Sequence, residues 1–395
     1  MKYVIIIPHG AADRPVAELD GRTPLEAAAT PNMDWVAQNG RQGTVATVPA
    51  GYPPGSDVGT LTLLGYPAES CYPGRGPLEA AAYGLDVAAN DLILRCNLVT
   101  LVDGRMYDWT AGGIRTAEGG RLIDDLNAHA TGPDERFVAG VAYRHLLIMS
   151  DADDVRCNCM PPGGLSGDPI QRHRPRGPGS DRLCGLLDRA HALLADHDVN
   201  QVRRDLDENP ATDIWLWGAG RQRSIPSFED RYGLRGWLLA SALGVRGLGR
   251  LIGLTVADAP DVGSVDGPDH RAATLRATEA LEQTDVVVVH IETPDQAAHA
   301  GDASAKVVAI EQIDAQIVGP MLDDLRRRDA WKLLIASDHA TPVADRTHAP
   351  GGSPFCMAGT GVEAVVQVPF SEVSARQTGL DIDPGHELID YFLKR

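Results

Sequence analysis

Asp285-Val-Val-Val-Val-His-Ile291 runs straight into Glu292-Thr-Pro-Asp295-Gln-Ala-Ala-His299, and this stretch decides the fold. Four consecutive valines without polar alternation read as a strand buried on both faces, the pattern of a parallel sheet. Two further runs have the same character. Tyr3–Pro8 ends in Pro8-His9-Gly10, and Trp331–Ala336 ends in Ser337-Asp338-His339. Outward from these the chain alternates. Pro31–Gly40 reads as a short helix with Gly40 as its C-cap. Gly43–Val48 reads as a strand, Gly51–Asp57 as a tight loop and Val58–Gly65 as a helix. Asp213–Trp217 reads as a strand, Gly233–Leu243 as a helix, Leu251–Val256 as a strand and Ala272–Gln283 as a helix. Ser304–Arg327 reads as one long amphipathic helix, with Val307, Val308, Ile310, Ile313, Ile317, Val318 and Leu322 as its apolar residues. The alternation predicts an α/β fold with a mostly parallel sheet flanked by helices. Residues 90–205 differ, with Pro161-Pro-Gly-Gly and His173-Arg-Pro-Arg-Gly-Pro-Gly as loop segments. They read as a smaller inserted α+β domain within a discontinuous core of residues 1–89 and 206–395.

The 395 residues carry a formal net charge of −18, with 43% hydrophobic and 23% charged residues, the make-up of a globular protein. A long nucleic-acid contact needs a basic face and is not expected. A phosphate or carboxylate substrate remains compatible, provided local arginines or metal ions meet its charge. The six cysteines, Cys71, Cys96, Cys157, Cys159, Cys184 and Cys356, form no CxxC pair. They read as free thiols of a reducing compartment. The start, MKYVIIIPHG, lacks the features of a signal peptide, and no apolar stretch reaches the ~18 residues of a membrane span. The expectation is a cytoplasmic protein with no membrane association.

The chemistry concentrates between residues 290 and 348. If Asp295 opens a helical turn, His299 at i+4 shares its face. Asp338 and His339 end the next buried strand, and His348 follows. Strand C-termini converge on the functional edge of an open α/β sheet, so these five residues are expected to cluster. Five nitrogen and oxygen donors are too many for one catalytic ion with an open position, and they suit two ions clamping a phosphoryl group. Such a donor set fits Mn, Zn or Co better than Ca, with Mg suited where carboxylates and water dominate. A lone Asp-His pair is more often a surface feature or a satisfied core histidine; two such elements on consecutive buried strands carry more weight. Ser56, in Pro54-Gly55-Ser56-Asp57, is the candidate nucleophile, because a helix N-terminus presents N–H groups and a positive dipole end to phosphate. Its alternative role is a plain N-cap.

In this order the pieces resemble the archaeal-type, cofactor-independent phosphoglycerate mutases of the alkaline phosphatase superfamily. The resemblance runs through His9-Gly-Ala-Ala-Asp13-Arg-Pro, Thr23-Pro-Leu-Glu-Ala, Thr30-Pro-Asn-Met-Asp, Pro53-Pro-Gly-Ser56-Asp and Gly74-Arg75-Gly-Pro-Leu-Glu79-Ala. It continues through Arg95-Cys-Asn97-Leu-Val-Thr, Asp295 to His299, Asp338-His339, Thr347-His348 and Gly385-His-Glu-Leu. Asn209–Gly218 and Arg231–Gly236 resemble the bacterial branch, sometimes labelled a proposed homoserine kinase. The resemblance implies an alkaline-phosphatase-like core and a phosphoglycerate mutase, an isomerase that needs no 2,3-bisphosphoglycerate. Ser56 would take the phosphoryl group from 3-phosphoglycerate and return it to the 2-hydroxyl. Two divalent ions, manganese first and zinc, cobalt or magnesium as alternatives, would be held by His9, Ser56, Asp338 and His339 and by Asp295, His299 and His348. The inserted domain would cover the substrate. Arg75, Arg95 with Asn97, and Arg144 beside His145 are the candidate substrate residues, since a guanidinium grips phosphate or carboxylate bidentately.

The sequence also departs from the family pattern. His9 stands where the family has aspartate, which removes one negative charge and any carboxylate bridge. Asp295-Gln-Ala-Ala-His299 replaces Asp-Glu-Ala-Gly-His, Ser337 stands where small or apolar residues are common, and Pro162-Gly-Gly lacks a His-Asp pair often found in the bacterial branch. Two alternatives follow. One is a related phosphoryl-transfer enzyme, a phosphatase or a homoserine-kinase-like protein, the kinase disfavoured because no Gly-x-x-x-x-Gly-Lys-Ser/Thr loop is present. The other is a catalytically impaired relative that binds a phosphorylated metabolite.

Overall fold

The computed structural model describes residues 1–257 and 269–394. The strands in chain order are β1 (Lys2–Pro8), β2 (Arg41–Val45), β3 (Leu92–Val102), β4 (Arg105–Asp108), β5 (Glu135–Val138), β6 (Arg144–Met149) and β7 (Asp213–Gly220). They continue with β8 (Gly236–Ala240), β9 (Thr255–Val256), β10 (Val286–Ile291), β11 (Trp331–Ala336), β12 (Ser353–Gly359) and β13 (Asp381–Ile382). The chain divides into two compact units, Met1–Tyr72 with Ser224–Arg395, and Pro73–Arg223. The second unit is wider at both ends than the expected 90–205. The helix Arg75–Ala82 packs on β3 and β7, and β7 pairs with β3, so both flanks belong to the inserted sheet.

In the first unit the strand order is β13-β2-β12-β11-β1-β10-β8-β9. Among the described residues only the two pairings of β12 are antiparallel in this sheet. Val4, Ile6, Val287, Val289, Leu333 and Ile335 are fully buried on one sheet face against Ile310, Ile313, Ile317 and Leu322. The polyvaline run is therefore a central strand, as its lack of alternation requires. Register aligns Ile7 with His290 and Ile6 with Ile335, so β1, β10 and β11 end at one edge.

Several local readings change. Gly233–Leu243 is not a helix. Gly236-Trp-Leu-Leu-Ala240 is strand β8, parallel to β10, and the helix comes later, at Leu243–Leu251. The glycine-rich Leu243-Gly-Val-Arg-Gly-Leu-Gly segment conceals a helix held by packing, which overrides weak propensity. Asp213–Trp217 is a strand, but it belongs to the inserted sheet and not to the core. Gly40 is not a C-cap. Asn39 fills that position, and a Cβ on Gly40 would lie 2.0 Å from the Met357 carbonyl oxygen, so close approach to β12 requires the glycine. The long helix is Ala303–Ile313, a π turn at Asp314–Val318, and Gly319–Leu325. Pro320 lacks the N–H that an α turn would use there. Asp314, on the π turn, accepts from Met33 N (2.7 Å) and Asn32 Nδ2 (2.8 Å) and so caps the Pro31–Gln38 helix.

The second unit is α+β. Its antiparallel sheet runs β4-β3-β6-β5, with β7 also pairing β3. The helices Thr116–His129 and Ser180–Ala195 cover one face through Leu122, Leu126, Leu186 and Leu194. His145 of β6 is fully buried, and burial pushes its pKa down to about 4. Between the unfolded-state value of ~6.5 and about 4, only the unfolded chain takes up this proton. The stability His145 contributes is present above pH ~6.5 and lost through that window, about 3 kcal/mol in all. Urea midpoints from pH 7 to 4.5 should fall more steeply for the native chain than for His145→Gln, and equal slopes would refute this. All six cysteines are free thiols. Among the described residues no helix is long and apolar enough to cross a membrane.

Candidate active site

The site forms where β1, β10 and β11 end. His9 follows β1, and its N–H donates to the Ile291 carbonyl of β10 at 2.9 Å. The next helix, Thr293–Ala300, carries Asp295 and His299 one turn apart, with Pro294 in its first turn. Their side chains meet at 3.2 Å, as the i+4 spacing predicts. Asp338 and His339 follow β11 and are wholly buried, and His348 returns on the next loop. Gly10, at φ 64°, lets the chain turn beneath this array. A Cβ there would lie 2.6 Å from both Asp295 Oδ1 and Thr341 Oγ1.

The expected cluster is assembled, with a different internal grouping. His9 Nδ1 lies 2.7 Å from Asp338 Oδ2, while its Nε2 lies 3.3 Å from Asp295 Oδ2. His348 Nε2 is 3.4 Å from Asp295 Oδ1 and 3.0 Å from His299 Nε2. One set of converging donor atoms comes from His9, Asp295, His339 and His348; another comes from His9, His290 and Asp338, each set within 4.8 Å. This cuts across the implied division into His9, Ser56, Asp338 and His339 against Asp295, His299 and His348. The physical reason lies at position 9. An imidazole carries two donor atoms on opposite sides of its ring and faces both carboxylates at once.

Electrostatics follow from burial. Desolvation opposes charge on His9, but Asp338 and Asp295 hold its pKa well above the ordinary value. Burial pushes both carboxylates up, and His9 with the neighbouring imidazoles outweighs it, holding each well below the usual range. Burial pushes His339 down to about 3. Its Nε2 and His290 Nδ1 are buried without a hydrogen-bond partner. Buried imidazole nitrogens left unmet beside ionised carboxylates are the donor chemistry of a divalent transition metal, so the residues fit one.

Ser56 begins the helix Ser56–Leu63. Two contacts place its loop at the cluster. His348 Nδ1 lies 3.1 Å from the Pro54 carbonyl oxygen, and a Cβ on Gly59 would lie 2.3 Å from the Asp338 carbonyl oxygen. Only glycine at 59 lets this helix press against the end of β11. Asp57 accepts from Tyr72 OH at 2.5 Å and from the Val58 N–H, which fixes the turn after the serine.

Beneath the site lies a network that sequence reasoning passes over. Thr341 Oγ1 donates to Asp295 Oδ1 at 2.5 Å and lies 3.2 Å from His339 Nδ1. Lys306, fully buried, donates to the Thr341 carbonyl (2.8 Å) and pairs with Asp13 Oδ2 (2.7 Å). Asp13 N–H donates to Glu372, which also accepts from Thr23 Oγ1. His290 is likewise missed; the available signal is a polar residue near the end of an otherwise apolar strand.

The second unit gathers the expected arginines. Arg95, nearly buried, lies 3.0 Å from Glu79 Oε1 and stacks over Trp217 at 4.2 Å. Arg75 lies over the same ring at 5.6 Å, and Trp217 Nε1 donates to Asn97 Oδ1 at 3.1 Å. Arg144 stacks on Tyr143. Burial lowers the Arg95 pKa; Glu79 opposes the shift, and Arg75 and Arg144 add to it, so three guanidiniums share one electrostatic neighbourhood. This is a concentration of positive charge in an acidic protein.

Fold and site together define an open α/β sheet protein with a candidate metal centre beyond its strand C-termini. The profile of the 2,3-bisphosphoglycerate-independent phosphoglycerate mutase family matches residues 37–200. A relative of that name from Methanothrix thermoacetophila is 40% identical over 98% of each chain. A probable one from Geobacter sulfurreducens is 39% identical over the full length of both. Among solved structures, a cofactor-independent phosphoglycerate mutase from Thermoplasma acidophilum is 26% identical, covers 100% of this chain and 99% of its own, and has a TM-score of 0.64. A Pyrococcus horikoshii protein at 26% identity reaches a TM-score of 0.82 over 100% and 96%. The chain belongs to the 2,3-bisphosphoglycerate-independent phosphoglycerate mutase family.

Proposed function

We propose that this chain interconverts 3-phosphoglycerate and 2-phosphoglycerate through a phosphoserine on Ser56, without 2,3-bisphosphoglycerate. The observation that carries the mechanism is the serine loop tied to the carboxylate–imidazole cluster through His348 and the Pro54 carbonyl, in a chain of this family. Ser56 Oγ attacks phosphorus, its bond to phosphorus forms, and the bond to the substrate's C3 oxygen breaks. The glycerate turns, and its 2-hydroxyl takes the phosphoryl group back. The N-terminus of the Ser56–Leu63 helix offers N–H groups to phosphoryl oxygens. His9, Ser56, Asp338, His339, Asp295, His299 and His348 are the residues that would hold two divalent ions. Those ions, when bound, supply Lewis-acid polarisation and a lowered hydroxyl pKa. Manganese, zinc and cobalt suit this nitrogen-rich set better than magnesium. Arg75, Arg95, Asn97 and Arg144 bind the substrate's carboxylate or phosphate, with Glu79 and Trp217 setting the orientation of Arg95.

The test is an assay of metal-reconstituted protein with 3-phosphoglycerate and no bisphosphoglycerate, following 2-phosphoglycerate and free phosphate together. The expected product is 2-phosphoglycerate alone. Chelation should abolish its formation, and added manganese, zinc or cobalt should restore it. Free phosphate alone would identify a phosphatase. Neither product with any of these metals would overturn the reading.

A further inference from the structure

We propose that His290 is itself a metal ligand, forming a three-donor site with His9 Nδ1 and Asp338. The inference rests on the two-ion reading above and adds a residue to it. Strand register carries the first part of the argument. His290 lies opposite Ile7, and His9 comes two residues beyond, so both side chains emerge beside the end of β11. They converge on a single carboxylate oxygen. Asp338 Oδ2 is 2.7 Å from His9 Nδ1 and 3.3 Å from His290 Nε2. The two rings lie 4.9 Å apart. Asp338 Oδ1 is turned away, accepting the Gly10 N–H at 3.2 Å.

His290 is fully buried, and its Nε2 faces Asp338 Oδ2, the same oxygen that His9 Nδ1 meets. Position 9 supplies the chemical reason for a further ligand. As a ligand, His9 offers one lone pair and no negative charge where a carboxylate would bring two oxygens and a charge, so the Asp338 side gains from a second nitrogen. Two imidazoles and one carboxylate leave an open position for a phosphoryl oxygen and select zinc, cobalt or manganese over magnesium.

Two substrate-free measurements test this. Zinc titration by calorimetry should find two ions in the native chain. In His290→Gln, folded by circular dichroism, one ion should be lost or bind at least roughly 1,000-fold more weakly, beyond the ~10–100-fold typical of outer-sphere partners, and a loss within that range would overturn the proposal. Unchanged binding of both ions would overturn the proposal. Should that variant misfold, magnetic resonance of the native chain loaded with cadmium and labelled at histidine nitrogens decides. A scalar coupling between cadmium and the His290 ring is expected, and its absence in the fully loaded protein would overturn the assignment. Coupling without any 2-phosphoglycerate formation would refute the function and leave the ligand set standing. Mutase activity without coupling would do the reverse.

Discussion

Ser56→Ala is expected to reduce turnover of 3-phosphoglycerate by about 10⁴-fold or more, the scale of losing a covalent nucleophile, with the fold retained. The substitution removes one hydroxyl from the first residue of the Ser56–Leu63 helix, whose N-cap is Gly55 and not the serine. The helix is held by other means. Gly59 abuts the Asp338 carbonyl, Asp57 binds Tyr72, and Val58, Leu61 and Leu63 are buried. Thermal stability should therefore change little, and ion content should stay near the native value because the carboxylates and imidazoles remain. Phosphate incorporated into denatured native protein during turnover should be absent from the variant. Residual mutase activity within tenfold of the native chain would end the phosphoserine mechanism.

Lys306→Met should have the largest effect on stability, about 3–5 kcal/mol, the cost of breaking a buried ion pair from one side. Lys306 and Asp13 are both almost wholly excluded from water, with Nζ 2.7 Å from Oδ2. Burial lowers the lysine pKa, and Asp13 opposes the shift. Removing the ammonium strands the Asp13 carboxylate beside Glu372 and frees the carbonyls of Ala12 and Thr341. Thr341 holds Asp295 and touches His339, so metal affinity should fall together with stability. Denaturant midpoints check the first effect and zinc titration checks the second. Pairing the change with Asp13→Asn, which removes the stranded charge, should recover most of the stability and little of the metal affinity. A loss under about 1 kcal/mol in the single variant, the scale of an exposed pair, would show that this network does not brace the site.

The central strands were legible because a strand buried on both faces must be apolar throughout, as Val286–Val289 and Val4–Ile7 are. The pairing of Asp295 with His299 was legible because helical periodicity puts i and i+4 on one face. Convergence of Asp295, His299, Asp338, His339 and His348 is expected from strand ends sharing one sheet edge, Ser56 from its place at a helix N-terminus, and His9 and the arginines from resemblance. By contrast, β8 has the sequence of a helix and β7 gives no sign of the sheet it joins, because short apolar segments carry no label for the strand they will pair with. The glycines at 40 and 59 are explained only by the carbonyls they abut. His290, Thr341 and Lys306 acquire their roles from partners 48, 46 and 293 residues away. Local periodicity and strand polarity are enough to set the layered α/β class, the sheet edge that gathers these side chains and the donor types found there. Tertiary structure alone decided which donors share an ion-sized space, that His9 faces both carboxylates, and what braces them, since those depend on register and packing between segments far apart in the chain.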